Sequence, residues 1–136
     1  MDGYQWLARD HRDISLRIEE YESDPQDARA HAVCDAIDRH IQVVEAAVAP
    51  ILRGEIVEGQ LLAEAAEVDH ATLQTLIARV YVAPPDDLED VMSEIARGFE
   101  QHVRAEEREV LVRLRAAGVD GEQLGTQLDK ALARAS

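Results

Sequence analysis

The chain has 136 residues, 46% of them apolar and 31% charged, which is ordinary usage for one globular domain and excludes a disordered polyelectrolyte. Its 28 acidic and 14 basic residues give a formal charge of −14. That balance excludes a nucleic-acid surface, whose affinity rests on clustered cations, and docking on anionic lipid. The single cysteine, Cys34, excludes an intramolecular disulfide framework. Met1–Asp10 (MDGYQWLARD) has no signal-peptide pattern, and the longest uncharged apolar stretch, Ala46–Leu52, is far shorter than a membrane span needs. The expectation is a soluble, cytoplasmic protein with no nucleic-acid and no membrane partner.

Ala, Leu, Glu and Arg dominate and aromatics are 4%, a helical composition. Turn signals cluster at Ser23-Asp24-Pro25, Arg53-Gly54, Pro84-Pro85-Asp86 and Gly118-Val119-Asp120-Gly121. Between them lie helices predicted over about 4–23, 26–53, 57–82 and 87–117, with a shorter one over about 121–135. Each long segment carries an apolar stripe at helical period. The first runs Tyr4, Leu7, His11, Ile14, Ile18, Tyr21, and the second Val33, Ile37, His40, Val44, Val48, Ile51. The third runs Leu62, Ala66, His70, Leu73, Ile77, Val80, and the fourth Val91, Ile95, Phe99, His102, Glu106, Val110, Leu114. No strand-like alternation persists and no internal repeat is evident. Short connections between long helices predict an all-α, up-down-up-down antiparallel four-helix bundle with a short fifth C-terminal helix, in a single domain over 1–136.

Four of the five histidines sit one per predicted helix, on the inward stripe. Antiparallel helices bring two residues to one height when both lie equally far from the intervening turn. The midpoints of successive pairs among His11, His40, His70 and His102 fall at 25.5, 55 and 86. These are the three turns read independently from Pro and Gly. Each histidine is then roughly 22 Å of helix rise from its turn, and the four imidazoles should share one layer. A lone inward histidine is usually a core residue satisfied by a nearby carboxylate or carbonyl. Four at one height are different, because each buried imidazole without a partner costs about 1–3 kcal/mol. A metal ion would satisfy all four, and bundle cores hold such sites. Glu106, four residues after His102, points the same way and adds an oxygen donor, a set that suits iron, manganese or zinc.

With those residues in hand, the chain resembles the hemerythrin-like, HHE cation-binding family over roughly residues 4–117. The resemblance rests on one histidine per helix, on Asp10-His11-Arg12, on His40-Ile41 with Pro50 ten residues on, and on Phe99-Glu100-Gln101-His102 followed by Glu106-Glu107. It implies a non-haem di-iron centre bridged by carboxylates, serving to bind or sense O2, to sense or store iron, or to handle nitric oxide or peroxide. Carried across, His11, His40, His70, His102 and Glu106 are the metal ligands, with Glu107 as an alternative to Glu106.

Two positions depart from the family pattern. The second-helix carboxylate usually found four residues after the histidine is Val44 here, and Glu45 lies on the flank of the stripe, about 140° from His40. Glu45 would reach the site only through a rotated or distorted helix; otherwise it is a solvent-facing or interhelix residue. Oxygen carriers place a second histidine four residues after the third-helix one, where this chain has Gln74. Glu67, one turn before His70, is a weaker substitute. Three metal states stay open: a di-iron site that recruits Glu45, a single-metal site, or a relic that binds metal poorly. His31 is expected to be exposed, Cys34 to be a buried small side chain, and Tyr4, Trp6 and Tyr21 to pack between helices. Leu124, Leu128 and Leu132 line a helix that caps the bundle or binds a partner or second copy.

Two functions follow. One is a metal-dependent protein whose iron meets O2, peroxide or nitric oxide, with peroxide- or nitric-oxide-consuming turnover as an open extension. The other is a non-catalytic interaction or regulatory module with a mononuclear or zinc site.

Overall fold

The computed structural model describes residues 1–135, and every regular element among them is helical. In chain order these are α1 (Gly3–Ser23), α2 (Asp27–Ala47), α3 (Ala49–Glu55), α4 (Gly59–Val82), α5 (Leu88–Ala105), α6 (Val112–Ala116) and α7 (Gly121–Arg134). A single 3-10 turn, Pro85–Asp87, precedes α5, and a π-helical segment, Glu106–Leu111, joins α5 to α6. No helix among the described residues is long and apolar enough to cross a membrane.

Local chemistry sets the boundaries. Asp2 caps α1, its carboxylate accepting from the Tyr4 and Gln5 backbone N–H groups at 2.8 and 3.2 Å. The expected unbroken helix over 26–53 is instead two. Pro50 has no N–H to donate back to the preceding turn, so α2 ends at Ala47 and α3 restarts at Ala49. The bonds from Val48 N–H to the Val44 carbonyl (2.8 Å) and from Leu52 N–H to the Val48 carbonyl (3.0 Å) survive, so the break is a kink rather than a loop. Gly118 adopts φ +78°, the left-handed conformation that lets the Val119 N–H bond the Leu114 carbonyl at 3.0 Å and close α6.

The stripes read from the sequence are the buried faces. All six stripe residues of α1 are buried, as are all seven from Val91 to Leu114. In the second and third stripes only Ile51, Leu62 and Ala66 are half-buried. α1 packs on α2, α2 on α4, and α4 on α5.

The apolar core is not continuous. One cluster gathers residues such as Ile14, Ile37, Ile77 and Phe99, and the other Leu7, Val44, Leu114 and Leu124. Between them, in every long helix, lies a buried histidine. The order of the two clusters alternates along the chain. α1 meets the Leu7 cluster before His11, α2 meets the Ile37 cluster before His40, and α4, then α5 with the segment and α6 that follow it, repeat that alternation about His70 and His102.

α7 packs against α1 and α2, with Leu124 and Leu128 fully buried and Leu132 39% exposed. The apolar face expected to cap the helices or bind a partner is therefore used inside the chain. The approach is close enough that a Cβ added at Gly125 would lie 2.0 Å from the Met1 carbonyl oxygen. Gly125→Ala should destabilise the fold by about 1–3 kcal/mol through overpacking against backbone. Thermal unfolding measures it, and a variant as stable as the parent would show that α7 docks less tightly than this.

Candidate metal centre

His11, His40, His70 and His102 come from α1, α2, α4 and α5, and all four are buried, none more than 3% exposed. Ring centroids are 4.9 Å apart for His11–His40, 5.1 Å for His40–His102 and 5.3 Å for His70–His102. The layer predicted from the turn midpoints is thus present. At its centre is Glu106, 5% exposed, at the start of the π-helical segment. Its Oε1 lies 3.1 Å from His11 Nε2, and its Oε2 lies 2.8 Å from His102 Nε2 and 3.3 Å from His40 Nε2. His11, His40, His102 and Glu106 each offer one donor atom, all within 4.8 Å of one another, close enough to hold a metal ion.

The opposite edge of every imidazole faces a carboxylate. His40 Nδ1 is 2.7 Å from Asp10 Oδ2, and His102 Nδ1 is 2.6 Å from Asp69 Oδ2. His70 Nδ1 is 3.0 Å from Glu45 Oε1, and His11 Nδ1 is 3.3 Å from Glu107 Oε1. An ionised carboxylate only accepts hydrogen bonds, so the nitrogen facing it carries the proton. Each Nε2 is then left, in the neutral ring, with a lone pair turned inward.

That arrangement tests whether a cation fits. His40 Nε2 and His102 Nε2 are 3.1 Å apart, a distance at which two inward lone pairs repel. The layer needs positive charge at its centre, supplied either by extra protons on the rings or by a metal ion. The residues fit a metal: three imidazole nitrogens, one carboxylate and orienting partners behind the rings are the donors and supports such ions take.

Without metal, the surroundings of the rings favour extra protons. Burial alone would lower the His40 pKa, but the Glu106 charge and hydrogen bonds to Asp10 and Glu106 outweigh it and raise the pKa to about 9. His102 is also raised, because hydrogen bonds to Asp69 and Glu106 outweigh its burial. Burial would raise Glu106, but positive charge at His40 and hydrogen bonds from His102, His11 and His40 hold it well below the usual carboxylate range. His70 is lowered, because burial outweighs Glu45.

His70 stands apart. Its Nε2 is buried and has no hydrogen-bond partner, and it is not among the four mutually close donors. His102 has Glu106 four residues on, whereas His40 has Val44, which is 5% exposed. Where the second half of the site has a carboxylate, the first has a hydrocarbon side chain. Val44, Val48, Leu62 and Val110 line a cavity of about 80 Å³ that His70, His102 and Glu106 border, room for a few water-sized molecules.

Glu45 and Glu107, expected as less certain ligands, face outward nitrogens rather than the centre, and are 44% and 47% exposed. The flank position of Glu45 is as its spacing says, but from there it reaches the neighbouring helix's histidine, and no distortion brings it to the metal donors. Gln74 is exposed, and exposed Glu67 pairs with Arg53 instead. His31 is exposed and stacks on Tyr81 at 4.7 Å. Cys34 is fully buried, and burial pushes its thiol up to about 12, which removes it from thiolate chemistry. Tyr4 and Tyr21 are buried and Trp6 half-buried. Asp10 and Asp69 are not among the residues that the helical stripes mark out. The available signal was an Asp immediately before an inward histidine, in Asp10-His11 and again in Asp69-His70.

No family model matches the chain, and neither a curated protein nor a solved structure matches it. The chemistry is carried by the site alone.

The His40 pKa gives the metal-free chain a signed pH dependence. A folded value of about 9 against an ordinary 6.5 means that the stabilisation is complete below the unfolded value and is lost as pH rises through the folded one. The Glu106 contribution runs the other way and is lost only well into acid. With chelator present, the melting temperature should fall by several degrees from about pH 6 to about pH 10. His40→Gln should flatten that slope, and a melting temperature that rises over the range would contradict the assignment.

Proposed function

We propose that this is a hemerythrin-like metal-binding protein, an up-down-up-down four-helix bundle whose buried centre holds non-haem iron and presents it to a small ligand such as O2, peroxide or nitric oxide. The observation that carries the reading is the convergence of imidazole Nε2 atoms on Glu106, with every Nδ1 held from outside by a carboxylate. The alternation of the two core clusters along successive helices supports the antiparallel bundle. The cavity beside His70 and Glu106 supports access by a small molecule. Iron bound here would supply redox chemistry and Lewis acidity, while the chain holds the ligand nitrogens in place and keeps bulk water out.

His11, His40, His102 and Glu106 would hold the first ion. A second ion, completing a di-iron centre, would draw on His70 and Glu106 and, with Val44 offering no further carboxylate, would bind more weakly. Anaerobic iron titration followed by elemental analysis and an ultraviolet–visible spectrum tests this. About one iron per chain should bind tightly, and Glu106→Gln should lower its affinity by at least about tenfold. Val44→Glu should tighten the second position and bring stoichiometry towards two. Protein that holds no iron under these conditions would end the reading.

A second reading has one observation in its favour. Three imidazoles and a carboxylate are four ligands, which close a tetrahedral structural zinc site. In that case the protein is a regulatory or interaction module, and it would purify colourless with one zinc per chain.

A further inference from the structure

We propose that Asp10, Glu45, Asp69 and Glu107 form a closed ring of positioning carboxylates, each fixing the imidazole of the next long helix so that its Nε2 is turned to the centre. The inference rests on the metal-centre reading and adds residues that touch no metal in it.

The pairing has an order. Asp10 on α1 holds His40 on α2, and Glu45 on α2 holds His70 on α4. Asp69 on α4 holds His102 on α5, and Glu107, just beyond α5, returns to hold His11 on α1. No helix orients its own histidine. Each orients its successor's, and the last closes on the first.

The same two spacings occur twice. In α1 and α4 the carboxylate immediately precedes the helix's own histidine, and in α2 and the α5–π segment it follows by five residues. The first half therefore reads Asp10-His11 with His40 and Glu45, and the second Asp69-His70 with His102 and Glu107. The two halves are equivalent in the ring and differ at the centre, where Val44 stands opposite Glu106. The internal repeat absent from the sequence as a whole is present in these eight residues.

Chance placement of surface acids does not account for this. Nothing obliges four exposed or half-exposed carboxylates in an acidic chain to meet four buried nitrogens, one to one. The ring does two things for a cation at the centre. It selects one tautomer for every imidazole, and it sets one negative charge behind each ring, which raises the basicity of the donating nitrogen. It thus supplies from outside part of the negative charge that Val44 removes from inside. The two aspartates are closest, at 2.6 and 2.7 Å, and least exposed, at 32% and 29%. They should matter most, and Glu107, at 3.3 Å and 47% exposed, least.

The test uses the full-length chain and its Asp10→Asn, Asp69→Asn and Glu107→Gln variants, with imidazole nitrogens and protons read by NMR in metal-free protein and ferrous affinity read by chelator competition. Each aspartate variant should lose the downfield Nδ1–H signal of the neighbouring helix's histidine, His40 for Asp10→Asn and His102 for Asp69→Asn. The histidine adjacent in sequence should be unaffected. Ferrous affinity should fall about 10–100-fold in these two variants and by less in Glu107→Gln, with Asp10→Glu and Asp69→Glu restoring part of it. Unchanged His40 and His102 signals in correctly folded variants would overturn the ring, as would wild-type affinity in both aspartate variants. If the parent chain binds no metal, the functional reading fails alone, because the NMR arm still decides whether the carboxylates fix the rings.

Discussion

Four imidazoles and a carboxylate share one buried layer, and two of the ring nitrogens stand 3.1 Å apart. Groups so placed are stable only with positive charge among them, since neutral rings whose outer nitrogens are already committed to carboxylates would oppose lone pair to lone pair. The rest of the structure is arranged around that requirement. The helices are long enough to keep the layer far from their turns. The π-helical segment begins at Glu106, and its wider turn lets Glu106 and Glu107 both reach His11, one from the inside of the ring and one from the outside. Departures from α geometry of this kind collect at functional sites, and here the departure has an identifiable use.

The centre is also unequal in its two halves. Equivalent carboxylates orient equivalent histidines, but Glu106 has Val44 as its counterpart, and the vacancy in hydrogen bonding falls on the Nε2 of His70. Val44 forms part of the apolar wall of the adjoining cavity, while the mutually close donors gather at His11, His40, His102 and Glu106.

Much of this was legible in the sequence, for physical reasons that differ from residue to residue. His11, His40, His70 and His102 could be placed because helix rise is constant and Pro and Gly mark the turns, so height follows from counting. Glu106 could be placed because a four-residue spacing keeps one face. Asp10, Asp69, Glu45 and Glu107 could not, because they act across the gap between helices. Which neighbour a flank residue meets depends on helix rotation and crossing, not on its own period. The kink at Pro50 is not legible because the apolar stripe continues through it, and the π-helical segment leaves no mark because an extra residue in one turn barely shifts a periodicity already tolerant of both three and four.

The division of the core into two clusters has a consequence for how the molecule opens. Separating helices anywhere along the Leu7 or Ile37 clusters exposes hydrocarbon to water, at a cost that grows with the area bared. Separating them at the histidine layer instead hydrates imidazoles and carboxylates, which water accepts readily. The layer of donors is therefore a polar belt between two apolar ends, and for an ion the shortest polar route inward would run at that level, where entry would exchange His–carboxylate contacts for water without baring either hydrocarbon cluster.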